Sequence, residues 1–133
     1  MLLVKTKVKK SKTHGLGLFA DEFIPKGTIT WQYHPKFDKT FSQREFNKMP
    51  ALSQEFLRYY CYFDYKRKKF VLCSDSQRYI NHTQNKKLEN ITSTPDRDIA
   101  ARDIKRGEEL LCDYSKFDKL YFKRMGIPLQ KLK

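Results

Sequence analysis

The segments that favour β-structure in this chain are short and separated by turn residues, and this pattern most restricts the possible fold. Runs rich in β-branched and aromatic residues occupy positions 2–8, 18–20, 28–33, 59–65, 69–73, 99–102 and 109–114. Pro25, Gly27 and Gly107 punctuate these runs as turn residues do. With 133 residues, there is room for one domain. The sequence therefore predicts one mainly β domain with several small sheets and few helices.

Helical signals are confined to two places. Ser42 and Glu45 have the spacing of a capping box, so we expect a helix to begin near Ser42. Pro50 should interrupt that helix, which could resume through residues 56–57. Residues 116–125 place Phe117, Tyr121 and Phe122 on a broad apolar face and predict a C-terminal helix.

The net charge of +13 suggests nucleic-acid binding at first sight, but its distribution weakens that interpretation. Residues 1–14 hold five lysines and no acid, and residues 116–133 hold six basic residues and one acid. These ends contribute +5 each, which leaves +3 for the middle of the chain. We expect at most weak nucleic-acid contact through the basic ends.

The three cysteines and the apolar segments exclude several classes of protein. Cys61, Cys73 and Cys112 are 12 and 39 residues apart and form no CxxC pair, so we expect buried reduced thiols and no metal site. No apolar run approaches the ~20 residues that a membrane-spanning helix needs. The apolar stretch at the start of the sequence is too short for a signal peptide. We therefore expect an intracellular protein (cytoplasm, nucleus or host nucleus) that does not span a membrane.

Three segments carry candidate chemistry, although each alone has an ordinary structural interpretation. Gly15-Leu16-Gly17 could be a turn between strands, or a loop whose backbone approaches a ligand closely. In Arg78-Tyr79-Ile80-Asn81-His82-Thr83 the histidine could be a hydrogen-bonded core residue. Gly107-Glu108-Glu109-Leu110-Leu111-Cys112-Asp113-Tyr114 ends on a tyrosine that could be half-buried at a strand end.

Together, in this order and spacing, the three segments resemble the SET-domain protein-lysine methyltransferases. The resemblance covers about residues 8–118, and the chain is similar to a minimal, free-standing SET domain, with residues 119–133 as a C-terminal tail. It implies small β-sheets with knot-like threading, a few short helices and a C-terminal helix. It also implies S-adenosylmethionine as the cofactor, without a metal.

The resemblance implies a role for individual residues of the cofactor site. Gly15, Leu16 and Gly17 should meet the amino-acid end of the cofactor through their backbone. Asn81 and His82 should hold its amino group and adenine, so that His82 is a binding residue and not a base. The neighbouring Arg78 and Tyr79 should line the same pocket, and the tail residues named above are candidates for packing on the adenine or the channel.

Tyr114 matches the tyrosine at the point of methyl transfer, where a neutral lysine amine attacks a methyl group on sulfur. The resemblance implies a lysine channel that includes Tyr33, Asn90 and Cys112. Because Asn90 and Cys112 stand where larger aromatic residues occur in some members, a roomy channel should favour di- or trimethylation. The positive charge of a histone tail would also require acidic side chains near the channel, for which Asp113, Asp118 and Glu108 are candidates.

Two other functions stay open at this stage. The chain could be a non-catalytic SET-like interaction module, or a basic nucleic-acid-binding protein. The protein substrate, a histone tail or another protein, is not readable from the residues, and a small domain of this kind could be a monomer or a homodimer.

Overall fold

The computed structural model describes residues 1–126 and is mainly β, as predicted. Within this range ten strands lie in four small sheets, and none is longer than five residues. The strands are β1 (Thr6–Lys10), β2 (Leu16–Ala20), β3 (Ile29–Gln32), β4 (Lys39–Phe41), β5 (Tyr62–Asp64), β6 (Lys69–Leu72), β7 (Asn81–His82), β8 (Ile91–Ser93), β9 (Arg97–Ala100) and β10 (Leu111–Cys112).

The sheets bring distant parts of the chain together. β1 pairs with β2, β6 lies between β4 and β5, and β9 lies between β3 and β8, all antiparallel. The fourth sheet is parallel and joins Asn81 to Leu111 and His82 to Cys112. This parallel pair places the second and third sequence motifs side by side.

Three short helices complete the described fold: α1 (Gln43–Asn47), α2 (Ala51–Tyr60) and α3 (Tyr121–Arg124). The capping box at the start of α1 is present, because the Ser42 hydroxyl accepts from the Glu45 N–H and the Glu45 carboxylate accepts from the Ser42 N–H, each at 3.1 Å. The predicted C-terminal helix is shorter than expected and is preceded by a 3₁₀ turn at Tyr114–Lys116. The part of the predicted tail at 127–133 lies outside the described residues.

Most strand boundaries differ from the sequence prediction by one or more residues, and three of the differences have a visible cause or shift the whole strand. The first strand begins at Thr6 and not at residue 2, because Leu2 bridges to Trp31 and the Leu3 N–H donates to the Thr30 carbonyl. The aromatic run predicted as a strand from residue 59 still belongs to α2 at Tyr59 and Tyr60. β9 begins and ends two residues earlier than the predicted 99–102 strand.

A buried apolar cluster packs against the segments that carry the motifs. It joins residues of β2, β8, β9 and β10 with the loops that connect them: Leu18, Ala20, Ile24, Ile80, Ile91, Ala100, Ile104, Leu110 and Cys112. Ile80 directly precedes the parallel pair and Cys112 belongs to it, so the core fixes the position of the paired segments. All three cysteines are buried free thiols, as predicted. No helix in residues 1–126 has the length and apolarity to cross a membrane.

Candidate active site

A cavity of about 510 Å³ lies between the Gly15 loop, the 3₁₀ turn at Ser76–Tyr79 and α3. Its volume falls within the ~300–1,000 Å³ range typical of cofactor sites. The predicted cofactor residues that line it are Gly15, Leu16, Arg78, Tyr79, Asn81 and His82, and Tyr114 also reaches it. Tyr121 and Phe122 add aromatic faces to the wall. Apolar rings beside backbone and amide groups suit a ligand with an adenine and an amino-acid end.

Asn81 ties the glycine loop to the rest of the site. Its side-chain nitrogen lies 2.9 Å from the His14 carbonyl, 3.0 Å from the Leu16 carbonyl and 3.0 Å from Glu109 Oε1. The amide thus holds both sides of Gly15, whose φ of +48° lies in the left-handed region that glycine adopts easily. The Asn81 side chain therefore fixes the conformation of the glycine loop and is also part of the cavity wall.

Gly17 faces away from the cavity and is required by close packing. A Cβ at this position would lie 2.2 Å from Glu109 Oε1. The other carboxylate oxygen, Glu109 Oε2, accepts from the Ser11 hydroxyl at 2.9 Å. Glu109 is thus a supporting residue that sequence reasoning did not single out, although it lies inside the third motif.

Gly17→Ala should lower the free energy of unfolding by about 1–3 kcal/mol, because the new methyl group forces Glu109 away from Ser11 and Asn81. Removing the carboxylate as well relieves this clash. In denaturant unfolding, Gly17→Ala and Glu109→Ala combined should therefore cost less than the sum of the two single changes. Strict additivity would contradict the close approach.

His82 positions the backbone of Tyr114. Its Nδ1 accepts from the Tyr114 N–H at 3.0 Å, so the ring proton of the neutral form belongs on Nε2. That Nε2 is buried and has no hydrogen-bond partner among residues 1–126. Burial lowers the pKa of His82 against the opposing effect of the Asp113 charge. A neutral ring already engaged with the backbone is suited to positioning and not to general-base catalysis.

Tyr114 lies where two cavities meet. Its hydroxyl donates to the Ile80 carbonyl, and its ring packs against Phe117, Tyr121 and Phe122. Burial raises the pKa of the Tyr114 phenol well above its usual value near 10. The group therefore stays a neutral phenol, and because its hydrogen is committed to Ile80, the oxygen can offer its lone pairs to a neighbouring cationic centre.

The second cavity has a volume of about 60 Å³ and shares part of its wall with the first, including Tyr114, Ile80 and Tyr121. Its wall includes Cys112 together with Trp31, Tyr62 and Phe117. The rings of Trp31 and Tyr62 meet edge to face at 6.3 Å. A narrow aromatic passage of this kind suits an alkyl chain that ends in an ammonium or amine group.

Two predicted channel residues lie elsewhere. Tyr33 lines neither cavity, and the Arg67 guanidinium lies over its ring at 4.0 Å. Asn90 is buried, and its side chain forms hydrogen bonds with backbone groups. Its Nδ2 donates to the Glu109 carbonyl and its Oδ1 accepts from the Leu111 N–H. Of the three predicted channel residues, the structure brings only Cys112 next to Tyr114.

The acids expected near the channel are occupied by internal partners. Asp118 is fully buried and pairs with Arg124. Asp113 accepts from Ser115 and lies 3.4 Å from the Lys86 ammonium. Glu108 lies 3.5 Å from Arg102. Each of these three side chains therefore has an internal partner, which reduces the negative charge it can offer to a basic tail.

Comparison with known proteins gives consistent results. A family model described as the SET domain matches residues 15–115, which is more than half of the chain. The zebrafish (Danio rerio) protein N-lysine methyltransferase KMT5A-A is 31% identical over 110 residues. That alignment covers 75% of this chain and 32% of the relative.

Solved structures with the same fold include chains of polycomb repressive complex 2 from Chaetomium thermophilum. An apo complex with two substitutions in Ezh2 superposes with a TM-score of 0.67 at 26% identity, covering 91% of this chain and 16% of that one. A complex bound to S-adenosylmethionine gives a TM-score of 0.64 at 23% identity, covering 92% and 16%. The chain thus spans much less than two thirds of each of these relatives.

Proposed function

The chain belongs to the SET-domain family, and from this membership we propose that it is a protein-lysine N-methyltransferase that uses S-adenosylmethionine. The observation that carries the proposal is the meeting of two cavities at Tyr114. The larger is suited to the cofactor and the smaller to a lysine side chain. Such an arrangement lets the two reactants approach from different sides and meet at one buried hydroxyl.

We assign the cofactor to the 510 Å³ cavity. Gly15 and Leu16 would present backbone groups to its amino-acid end, held there by Asn81. Arg78, Tyr79 and His82 would line the remaining polar wall, and Tyr121 and Phe122 would pack on the adenine. Gly17 does not line the cavity; its lack of a side chain leaves room for the Glu109 carboxylate, which contacts Asn81.

S-adenosylmethionine, when bound, supplies an electrophilic methyl group on a positively charged sulfur. The protein contributes alignment, since a reaction in line requires the lysine nitrogen to lie opposite the sulfur. The Tyr114 oxygen contributes negative partial charge where the methyl group carries positive charge. Because the phenol stays protonated, Tyr114 orients and stabilises and does not remove a proton.

The test is transfer of a heavy-isotope methyl group from S-adenosylmethionine to protein lysines. Core histones and a panel of unrelated proteins should be incubated with the enzyme, and the modified residues identified by mass spectrometry. We expect label on lysine in at least one protein. Cofactor binding by calorimetry without transfer to any lysine would favour a non-catalytic module instead.

The relatives guide the choice of substrates to test. One is named as an N-lysine methyltransferase and others belong to polycomb repressive complex 2. We therefore propose a histone or another protein as the substrate. Asp113, Glu108 and Asp118 are internally paired, so a strongly basic tail gains little attraction from these three side chains. The basic ends would instead bind an acidic partner or nucleic acid weakly. The arrangement of the site fits a monomer as well as a homodimer.

Cys112 leaves room for a methylated amine beside Tyr114, so we expect the wild-type protein to accumulate di- or trimethyllysine. Cys112→Phe should fill much of the 60 Å³ cavity and shift the product to monomethyllysine. The mass distribution of a peptide product measures both. Cys112→Ala is the matched control and should leave the distribution unchanged. A wild-type enzyme that makes only monomethyllysine would contradict the expectation.

A further inference from the structure

The wall of the smaller cavity contains a buried carboxyl group, that of Asp98, which has no role in the chemistry proposed above. Asp98 lies on β9, is only 3% exposed, and borders the same cavity as Tyr114 and Cys112. Sequence reasoning did not select it because it stands in an ordinary strand outside the three motifs. A carboxyl group in an aromatic and thiol-lined passage is costly unless something cationic or hydrogen-bonding meets it.

The contacts of Asp98 with the protein are neutral. Gln77 Nε2 donates to Asp98 Oδ2 at 2.5 Å, and the Ser93 hydroxyl is also a neighbour. In residues 1–126 no arginine, lysine or histidine forms an ion pair with Asp98. On the same wall, Trp31 Nε1 is buried and has no hydrogen-bond partner in that described range. Among the described residues, this wall therefore holds an acid that forms no ion pair and an N–H donor without an acceptor.

The negative charge of Asp98 reaches the reaction centre. Asp98 lies on the same cavity wall as Tyr114 and Cys112; burial is the main cause of the raised pKa values of both groups, and the charge of Asp98 adds to it. Because Tyr114 marks the junction of the two cavities, a lysine nitrogen that reaches Tyr114 also comes within the field of Asp98.

Burial raises the pKa of Asp98 to about 7, against the opposing effects of the nearby Ser93 hydroxyl and of the Gln77 hydrogen bond. The other ionisable groups on this wall are Arg78, the thiols of Cys61, Cys73 and Cys112, the phenols of Tyr62 and Tyr114, and the tyrosines of α2 and α3. Burial raises the pKa of each of these three thiols and of both named phenols. Asp98 is thus the carboxyl group of this cavity, and its titration lies in the neutral range where a general base works best.

We propose that Asp98 is the residue that receives the target lysine's ammonium group in the channel and accepts its proton before methyl transfer. The inference rests on the proposed methyltransferase function and assigns a further catalytic residue to it. The substrate class it selects is a protonated lysine, or its mono- or dimethylated form, entering as a cation.

The proton and electron balance of the step is complete within these groups. One N–H bond of the ammonium breaks and an O–H bond forms on Asp98, which leaves a neutral amine beside a neutral carboxylic acid. The nitrogen lone pair then forms the N–C bond while the S–C electron pair goes to sulfur. The proton on Asp98 passes to water when the product leaves, which restores the carboxylate.

The first test is the pH dependence of kcat/KM for a lysine peptide. The wild-type rate should rise through pH about 7, where Asp98 loses its proton, and then stay level. Asp98→Asn keeps an acceptor for Gln77 but cannot take a proton, and should lower the rate about 10²-fold or more near pH 7. Its rate should keep rising toward the pKa of free lysine near ~10.4. Asp96→Asn, an exposed neighbour paired with Arg67, is the matched control.

The second test uses the wild-type protein and does not depend on a variant that folds. The carboxyl carbon of Asp98 is titrated by NMR with S-adenosylhomocysteine present, with a lysine peptide and with the same peptide carrying norleucine. The lysine peptide should lower the pKa of Asp98, because an ammonium group beside a carboxylate favours its charged form. The norleucine peptide carries no ammonium group at this position and should leave the pKa of Asp98 unchanged.

The outcomes separate this inference from the proposed function. If the wild type transfers methyl groups but Asp98→Asn keeps the wild-type pH profile, or if both peptides affect Asp98 alike, Asp98 has a structural role and the inference fails alone. If the wild type modifies no lysine while it binds the cofactor, the proposed function itself fails.

Discussion

Tyr114→Phe is expected to lower the rate of methyl transfer by about 10²-fold or more, with little change in cofactor affinity. The change removes a hydroxyl oxygen shared by the walls of both cavities and keeps the ring that packs against Phe117, Tyr121 and Phe122. The Ile80 carbonyl loses its donor, which should cost about 1–3 kcal/mol of stability at most. Single-turnover label transfer and calorimetry with S-adenosylhomocysteine measure the two effects separately.

Tyr65→Phe is the matched control for this substitution. Tyr65 is 44% exposed, belongs to neither cavity, and its hydroxyl reaches Asp118 only at 3.4 Å. It should therefore transfer methyl groups at the wild-type rate. Undiminished transfer by Tyr114→Phe would remove Tyr114 from the reaction and with it the assignment of the site.

Asn81→Ala should weaken S-adenosylmethionine binding roughly thirtyfold, which corresponds to about 2 kcal/mol. The Asn81 amide is shared among the His14 carbonyl, the Leu16 carbonyl and Glu109 Oε1. Without it the glycine loop is no longer tied to the parallel pair of β7 and β10, and the binding energy must also order the loop. The dissociation constant and the thermal unfolding midpoint should therefore change together.

The exposed Asn47 at the end of α1 provides the comparison for Asn81. Its amide contacts only Gln43 on the same helix face, so Asn47→Ala should leave cofactor affinity unchanged. If Asn81→Ala unfolds more easily but binds the cofactor as the wild type does, the amide supports the fold and not the binding loop.

The sequence was informative where a signal is local. Ser42 and Glu45 predicted a helix start because both partners of a capping box lie within one turn. The three motifs predicted most of the residues around the larger cavity because each motif is a short contiguous segment. The boundary at Tyr60 was missed because aromatic residues that favour strands also extend a helix when one face packs on a core.

Contacts between distant residues could not be predicted from the sequence. Glu109 supports Asn81 from 28 positions away, and Asp98 meets Gln77 across 21. Helix and strand patterns relate residues two to four positions apart in the sequence. Separations of this length therefore leave no local pattern that indicates the pair. The family resemblance implies a channel position for Asn90, which lies outside the three motifs, whereas the fold uses its amide to join the backbone near β10 to β8. Tyr33 was assigned in the same way and instead lies under Arg67.

The ternary complex with S-adenosylhomocysteine and a lysine peptide tests the central claim most directly. The measurement is the position of the cofactor sulfur and the lysine nitrogen relative to the Tyr114 hydroxyl. We expect the sulfur in the 510 Å³ cavity and the nitrogen in the 60 Å³ cavity, both in contact with Tyr114. A cofactor bound elsewhere, or a lysine nitrogen that does not enter the smaller cavity, would contradict it.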